Sequence, residues 1–157
     1  MSKLKLSDWA SVAEVIGAVA VVISLVYVGI QINGNTIEIR EANRQELINR
    51  SFVATGRVVE NAEVADILVK VADGEPLSPQ ESVQYSYFVR AMLYDVQEAY
   101  LLYREGRLDD EYWETRQSIF VAYMAAAPAL AAYERDKAVG ALHHEFVLWA
   151  DEMLAKW

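Results

Sequence analysis

The chain has 157 residues, a net charge of −9 and no cysteine. This acidic balance argues against nucleic acid and against an anionic lipid surface as partners, because a phosphate-binding surface needs clustered lysine and arginine. The lack of cysteine excludes disulfides and thiolate zinc sites. Apart from an apolar N-terminal segment, about 120 residues remain, which is enough for one compact domain and too few for two.

The N-terminal segment is an uncharged apolar run over residues 15–30, in which Ser24 is the polar residue. As a helix, this run and the two residues after it would be about 27 Å long, close to a hydrocarbon core of about 30 Å. Trp9 and Ala10 can extend the helix into the membrane interface. The run therefore predicts a single membrane span over residues 10–32.

Two other interpretations of the run are a cleaved signal peptide and a buried helix of a soluble bundle. No small-residue cleavage site follows the run, and a bundle helix would show a polar stripe that this run lacks. Ten valine, isoleucine and leucine residues contribute about −0.3 to −0.6 kcal/mol each to insertion, which outweighs the cost of Glu14 near the interface. We therefore expect the segment to insert and to remain attached.

The orientation of the span depends on the lysine and arginine residues that flank it. Lys3 and Lys5 precede the span, whereas Arg40, Arg44 and Arg50 follow it within about 20 residues. This small excess on the C-terminal side predicts that the C-terminal domain lies in the cytoplasm.

The residues directly after the span carry weaker structural signals. The sequence Asn-Gly-Asn at residues 33–35 is typical of a turn, which could end or kink the first helix. Residues 37–59 predict either a second helix or a continuation of the first. Asn61 is a predicted N-cap for a short helix that continues to Val71.

Start and stop signals define the remaining helices. The clearest is the sequence Ser-Pro-Gln-Glu at residues 78–81, a capping box with proline at the first helical position. It predicts a long helix to about Glu105 that stops at Gly106. The later boundaries are predicted by a cap at Asp109, by Pro128, by the end of that segment near Val139, and by Gly140 before the last helix.

No strand-like alternation is present, so the predicted fold class is all-α. The architecture is one N-terminal transmembrane helix followed by a helical bundle of about five helices. The predicted domains are a transmembrane anchor over residues 1–33 and a soluble helical domain over residues 34–157.

The chain resembles a bacterial family of small uncharacterised membrane proteins with one N-terminal span and a helical domain. The resemblance rests on residues 15–28, Gln31-Ile32, Asn35-Thr36, Glu98, residues 103–106, Leu108, Glu111, Trp113 and, more weakly, Glu145-Phe146. The chain departs from the family at Asn33 and Gly34, where arginine and glutamine are usual. The resemblance implies a single-pass protein of the bacterial inner membrane, and it implies no activity.

Small residues recur within the predicted span at spacings of three and four. One helix stripe therefore contains Ala10, Ala13, Gly17, Ala20 and Ser24. Such a stripe lets two helices approach closely in lipid and predicts a packing surface, although alanine and glycine are also common in spans generally. Glu14 lies on its flank, either as an interfacial carboxylate or as an ion or proton site.

The long helix places Asp95 within an otherwise apolar stripe formed by Phe88, Ala91, Ala99 and Leu102. A buried carboxylate at this position needs a partner, and Arg90 and Arg116 are the nearest candidate cations. Together with Tyr94 and Glu98, Asp95 is a candidate for a buried polar site or a small-ligand site.

The remaining residues give only weak signals for a metal, ligand or catalytic site. The sequence His143-His144-Glu145 lacks the three- or four-residue spacing of helical metal ligands, and His143 is better interpreted as a cap of the last helix. The tyrosines and Trp113 could line a pocket, although core filling is their usual role. No nucleotide, hydrolase or metal motif is present. We therefore expect no catalytic residues, cofactor or metal.

These observations predict a membrane-anchored, non-enzymatic interaction or scaffold protein. Its expected partners are the lipid bilayer and, through the span, a second copy of the chain or another membrane protein. The alternative is a membrane-anchored sensor that binds a small ligand in an aromatic-lined pocket near Asp95 and Tyr94.

Overall fold

The computed structural model describes residues 6–156. Lys3 and Lys5, which enter the orientation prediction, lie outside the described residues. The described chain contains no β-strand and consists of six helices, so the all-α prediction is confirmed. The helices are α1 (Leu6–Glu60), α2 (Ala62–Ala72), α3 (Pro79–Arg104), α4 (Asp110–Met124), α5 (Ala127–Ala138) and α6 (His144–Leu154).

Helix α1 continues without interruption through the predicted turn signal at residues 33–35. Glycine costs about 1 kcal/mol in a helix, but asparagine and glycine both keep the backbone N–H that a helix requires. The next side chain, Thr36, donates its hydroxyl hydrogen bond to the Ile32 carbonyl at 2.9 Å. The sequence left open whether the first helix ends, kinks or continues at residues 33–35. In the structure it continues, so residue 33, the predicted end of the anchor, lies within a helix.

The chain forms two compact units, Met1–Ile39 and Arg40–Trp157. The described part of the first unit is a single helical segment. It carries the one described helix that is long and apolar enough to cross a membrane, with a mean hydropathy of 2.5 in its 18-residue window. None of that window is buried. Every large apolar side chain from Val15 to Ile32 is at least 48% exposed.

The predicted caps of the second unit are present. Asn61 accepts hydrogen bonds from the backbone N–H groups of Glu63 and Val64 at the start of α2. Ser78 and Glu81 form the reciprocal capping box of α3, and Asp109 caps α4. These caps satisfy backbone donors that the first turn of a helix leaves unpaired.

The ends of the later helices also follow the sequence signals. Helix α3 stops before Gly106, which has a φ of +70° that favours glycine. His143 occupies the N-cap position of α6, but its side chain forms no capping hydrogen bond. Instead, the His143 backbone N–H donates to the Gln97 side-chain oxygen at 2.6 Å.

An aromatic cluster between α3, α4 and α6 lies within the core of the second unit. Its members are Tyr100, Trp113, Phe120, Phe146 and Trp149, whose neighbouring ring centroids lie 4.9 to 6.1 Å apart. Phe120 and Phe146 are fully buried. Truncating a buried phenylalanine to alanine costs about 3–5 kcal/mol, so this cluster accounts for much of the stability of the unit.

Candidate functional site

The predicted packing stripe on α1 is exposed along its length, including Ala13, Gly17, Ala20 and Ser24. A Cβ atom added at Gly17 would meet nothing within 4 Å. The Ser24 hydroxyl donates to the Ala20 carbonyl at 2.9 Å, so this polar group is satisfied within its own helix. The stripe therefore offers a smooth surface of small side chains with open space in front of Gly17. Glu14, on its flank, is exposed too.

The second candidate site is built around Asp95, which pairs with Arg116 on α4. The Arg116 Nη1 atom lies 2.8 Å from Asp95 Oδ2, and the Arg116 side chain is 8% exposed. Arg116 is one of the two cations that the sequence suggested for this carboxylate. The other Asp95 oxygen, Oδ1, is buried and has no hydrogen-bond partner in the described chain.

Burial has the largest effect on the pKa of the Asp95 carboxyl. It raises the pKa of the Asp95 carboxyl above its usual value, while the positive charges of Arg116 and, less strongly, Arg50 act to lower that pKa. The negative charge of Glu98 adds a small further rise. Because removal from water outweighs the attraction to Arg116, the ionised pair is not a strong source of stability.

The other two residues of this predicted site are more open. Tyr94 is 44% exposed, and Glu98 is exposed as well. Two open grooves of about 450 and 490 Å³ lie on the described part of the chain, and neither is lined by Tyr94, Asp95 or Glu98. Instead, they lie between α2 and the start of α3, and along α4 beside Met153.

Arg90, the second predicted partner of Asp95, binds Asp136 on α5. Its guanidinium donates two hydrogen bonds to the fully buried Asp136 carboxylate, at 2.8 and 2.6 Å. These hydrogen bonds lower the pKa of Asp136. Sequence reasoning missed Asp136, because it lies in a charged stretch, Glu134 to Lys137, that is typical of a solvated helix face.

A third set of polar groups connects α1 to the turn between α3 and α4. The Arg40 side chain donates to the Gly106 carbonyl at 2.8 Å, and the Asn43 side chain donates to the Arg107 carbonyl at 3.0 Å. Arg44 lies 3.9 Å from the Asp109 carboxylate. The sequence had used Arg40 and Arg44 only as charges that orient the span, because their partners lie more than 60 residues away.

The two histidines of the chain lie at the start of α6, within the described residues. His143 and His144 belong to no group of three or more histidine, aspartate or glutamate side chains that could hold a metal ion there. Most tyrosines that the sequence considered as pocket residues instead divide between the core and the surface. Tyr85, Tyr100 and Tyr133 are buried, whereas Tyr87 and Tyr123 are exposed.

No protein-family model, curated protein or solved structure matches the chain. The resemblance to the bacterial single-span family therefore remains a sequence-based expectation, and the functional interpretation rests on the residues themselves.

Proposed function

We propose that the protein is a non-enzymatic, membrane-anchored helical interaction protein. Residues 10–32 form its single span in this proposal. The observation that carries it is the exposed apolar surface of α1 between Val15 and Ile32. Water solvates such a surface poorly, at a cost of about 25 cal/mol for each Å² of apolar area. A bilayer removes this cost, and the helix already satisfies its own backbone groups.

The span has a second role in this proposal, which is assembly. In lipid, apolar surface does not drive helices together, so close packing of small residues becomes the main attraction. The stripe of Ala13, Gly17, Ala20 and Ser24 would provide that contact with a second copy or with another membrane protein. The spacing of these small residues supports this assignment, because a neighbouring backbone can approach closely where the side chains are small.

Cysteine crosslinking tests this assembly, since the natural chain has no cysteine background. Ala20→Cys places a single thiol on the stripe, and we expect it to form disulfide-linked dimers in membranes. Gly17→Leu should lower the yield by separating the backbones, with a loss of about 1 kcal/mol of association free energy. Val22→Leu, on another face of the helix, is the matched control. Equal dimer yields for the two leucine variants would contradict self-assembly through the stripe.

We place the protein in the bacterial inner membrane, with its C-terminal domain in the cytoplasm. Arg40, Arg44 and Arg50 support this orientation. A reporter fused after Trp157 should be active in a form that works only in the cytoplasm. Activity of a periplasmic reporter alone would show that Lys3 and Lys5 dominate.

The second candidate function is a small-ligand sensor. The unpartnered Oδ1 atom of Asp95 favours it, because a ligand donor could bind there. A ligand at this site would raise the unfolding temperature of the natural protein and leave Asp95→Asn unchanged. We favour the scaffold, since neither of the two grooves described above is lined by Asp95 or Tyr94.

A further inference from the structure

Within the second unit, the part of α1 that follows residue 39 contacts the other helices through a mainly polar interface, which we call the α1 seam. It comprises Arg40, Asn43, Arg44, Leu47 and Ser51 with their partners on α3, α4 and the turn between them. Among the described α1 side chains, Leu47 is the one that belongs to the buried core. The other members of the seam contribute hydrogen bonds and charge.

Arg116 is the centre of the α1 seam. Its Nη2 atom donates to the Ser51 hydroxyl at 2.7 Å and to the Leu47 carbonyl at 3.3 Å, which connects α4 to α1. The same nitrogen contacts the Tyr112 hydroxyl, and Nη1 binds Asp95 on α3. One guanidinium therefore joins three helices.

Polar contacts of this kind are easily exchanged. A hydrogen bond lost within the protein is replaced by one to water, so each bond contributes little net stability. The outer face of the same segment has no packing partner in the described chain: Phe52 and Val59 are 71% and 80% exposed. Polar interfaces within a chain commonly allow relative motion, whereas large apolar ones do not.

We propose that residues 40–60 form a releasable strap, held to α3 and α4 by the Arg116 latch. The strap can leave these helices while α3–α6 remain folded around their aromatic cluster. Its release would free Arg116 from Ser51 and Leu47 and leave its contacts with Tyr112 and Asp95 in place. This inference goes beyond the proposed function, because every contact that carries it lies within residues 40–157 and none depends on a membrane.

Amide hydrogen exchange on the full chain in mild detergent tests the strap. The variant Arg40→Gln, Asn43→Ala and Ser51→Ala removes hydrogen bonds from the α1 side only and leaves the aromatic cluster untouched. We expect amides within residues 40–60 to exchange about tenfold faster or more, with the rates of α3–α6 unchanged. Gln45→Ala is the matched control, since the Gln45 amide bonds to Asn49 on the same helix, and its rates should equal those of the natural chain.

Two results would overturn the proposal. Equal acceleration in residues 40–60 and in α3–α6 would mean that the segment unfolds only with the bundle. Unchanged exchange in residues 40–60 would mean that the polar contacts do not hold the strap. The α3–α6 amides of the same sample report whether the variant is folded, so a general folding defect is recognised directly.

Discussion

Residues 15–32 of α1 expose large apolar side chains on all sides, whereas residues 40–51 of the same helix contact α3, α4 and the turn between them through arginine, asparagine and serine. The two segments share one secondary structure and differ in the surroundings that their surfaces require. The first needs an apolar solvent. The second needs donors and acceptors at fixed positions. Helix continuity therefore says little about the surroundings that each part of a helix requires.

Matched arginine pairs in the two segments give the largest expected difference. Val22→Arg with Ile23→Arg adds about 5–7 kcal/mol to the free energy of insertion, which exceeds the roughly 2–5 kcal/mol that the eight remaining valine, isoleucine and leucine residues of the run supply. We expect this variant to leave the membrane fraction. Phe52→Arg with Val53→Arg changes side chains of similar exposure, 71% and 59% against 58% and 63%, and should remain membrane-bound. Equal distribution of the two variants on membrane fractionation would remove the distinction between the segments.

The Arg116 latch should respond differently to the loss of each partner. Arg116→Met leaves the Asp95 carboxylate half-buried without its cation, which costs about 3–5 kcal/mol of unfolding free energy. Asp95→Asn keeps an oxygen acceptor for Arg116 but removes the counter-charge of a guanidinium that is 8% exposed, so we expect a smaller loss, of about 1–3 kcal/mol. Denaturant unfolding, followed by the fluorescence of Trp113 and Trp149, measures both. Similar losses for the two variants would show that Asp95 stabilises mainly as an ion.

The contribution of Asp95 to stability should change with pH in one direction. Because burial raises the pKa of Asp95 in the folded chain, the neutral carboxyl is favoured there. Its contribution to stability is therefore complete below the usual pKa and is lost as the pH rises through the raised value. Asp95→Asn should lack this pH-dependent contribution to the free energy of unfolding. If the natural chain and the variant show the same dependence of that free energy on pH, the raised pKa of Asp95 is contradicted.

A smaller effect is expected at Glu81, a polar contact outside the α1 seam. The Lys70 ammonium, which hydrogen-bonds Glu81, and the Ser78 N–H lower the pKa of Glu81 to about 2. A lowered pKa stabilises the fold above the usual value of 4.5, and this contribution is lost as the pH falls to about 2. Glu81→Gln should remove that part of the acid dependence of the unfolding temperature. NMR titration of the Glu81 carboxyl checks the pKa, and an ordinary value would exclude the contact.

The sequence predicts features that depend on neighbouring residues better than features that depend on distant ones. The caps at Asn61, Ser78 and Asp109 were predicted because each acts within three residues. The apolar run was recognised because its composition is sufficient. The path through residues 33–35 remained open, since a propensity cost of about 1 kcal/mol is small beside the cooperativity of a 55-residue helix.

The candidate polar sites illustrate the same limit. Asp95 stood out because it interrupts an apolar stripe, and that pattern also required a cation such as Arg116. Arg90 binds Asp136 instead, since α3 and α5 bring the two together across 46 positions of sequence. The partners of Arg40 and Asn43 are backbone carbonyls, which every residue carries. No side-chain pattern can identify such a partner before the fold is known.

Alkaline carbonate extraction tests most directly whether the apolar segment of α1 anchors the chain in a membrane. The full chain and a fragment of residues 33–157 are expressed side by side, and their membrane pellets are washed at high pH. We predict that the full chain stays in the pellet and that the fragment is found in the soluble fraction, because its net charge and polar helix faces favour water. A full chain released by carbonate, or a fragment retained in the pellet, would contradict the single-anchor account.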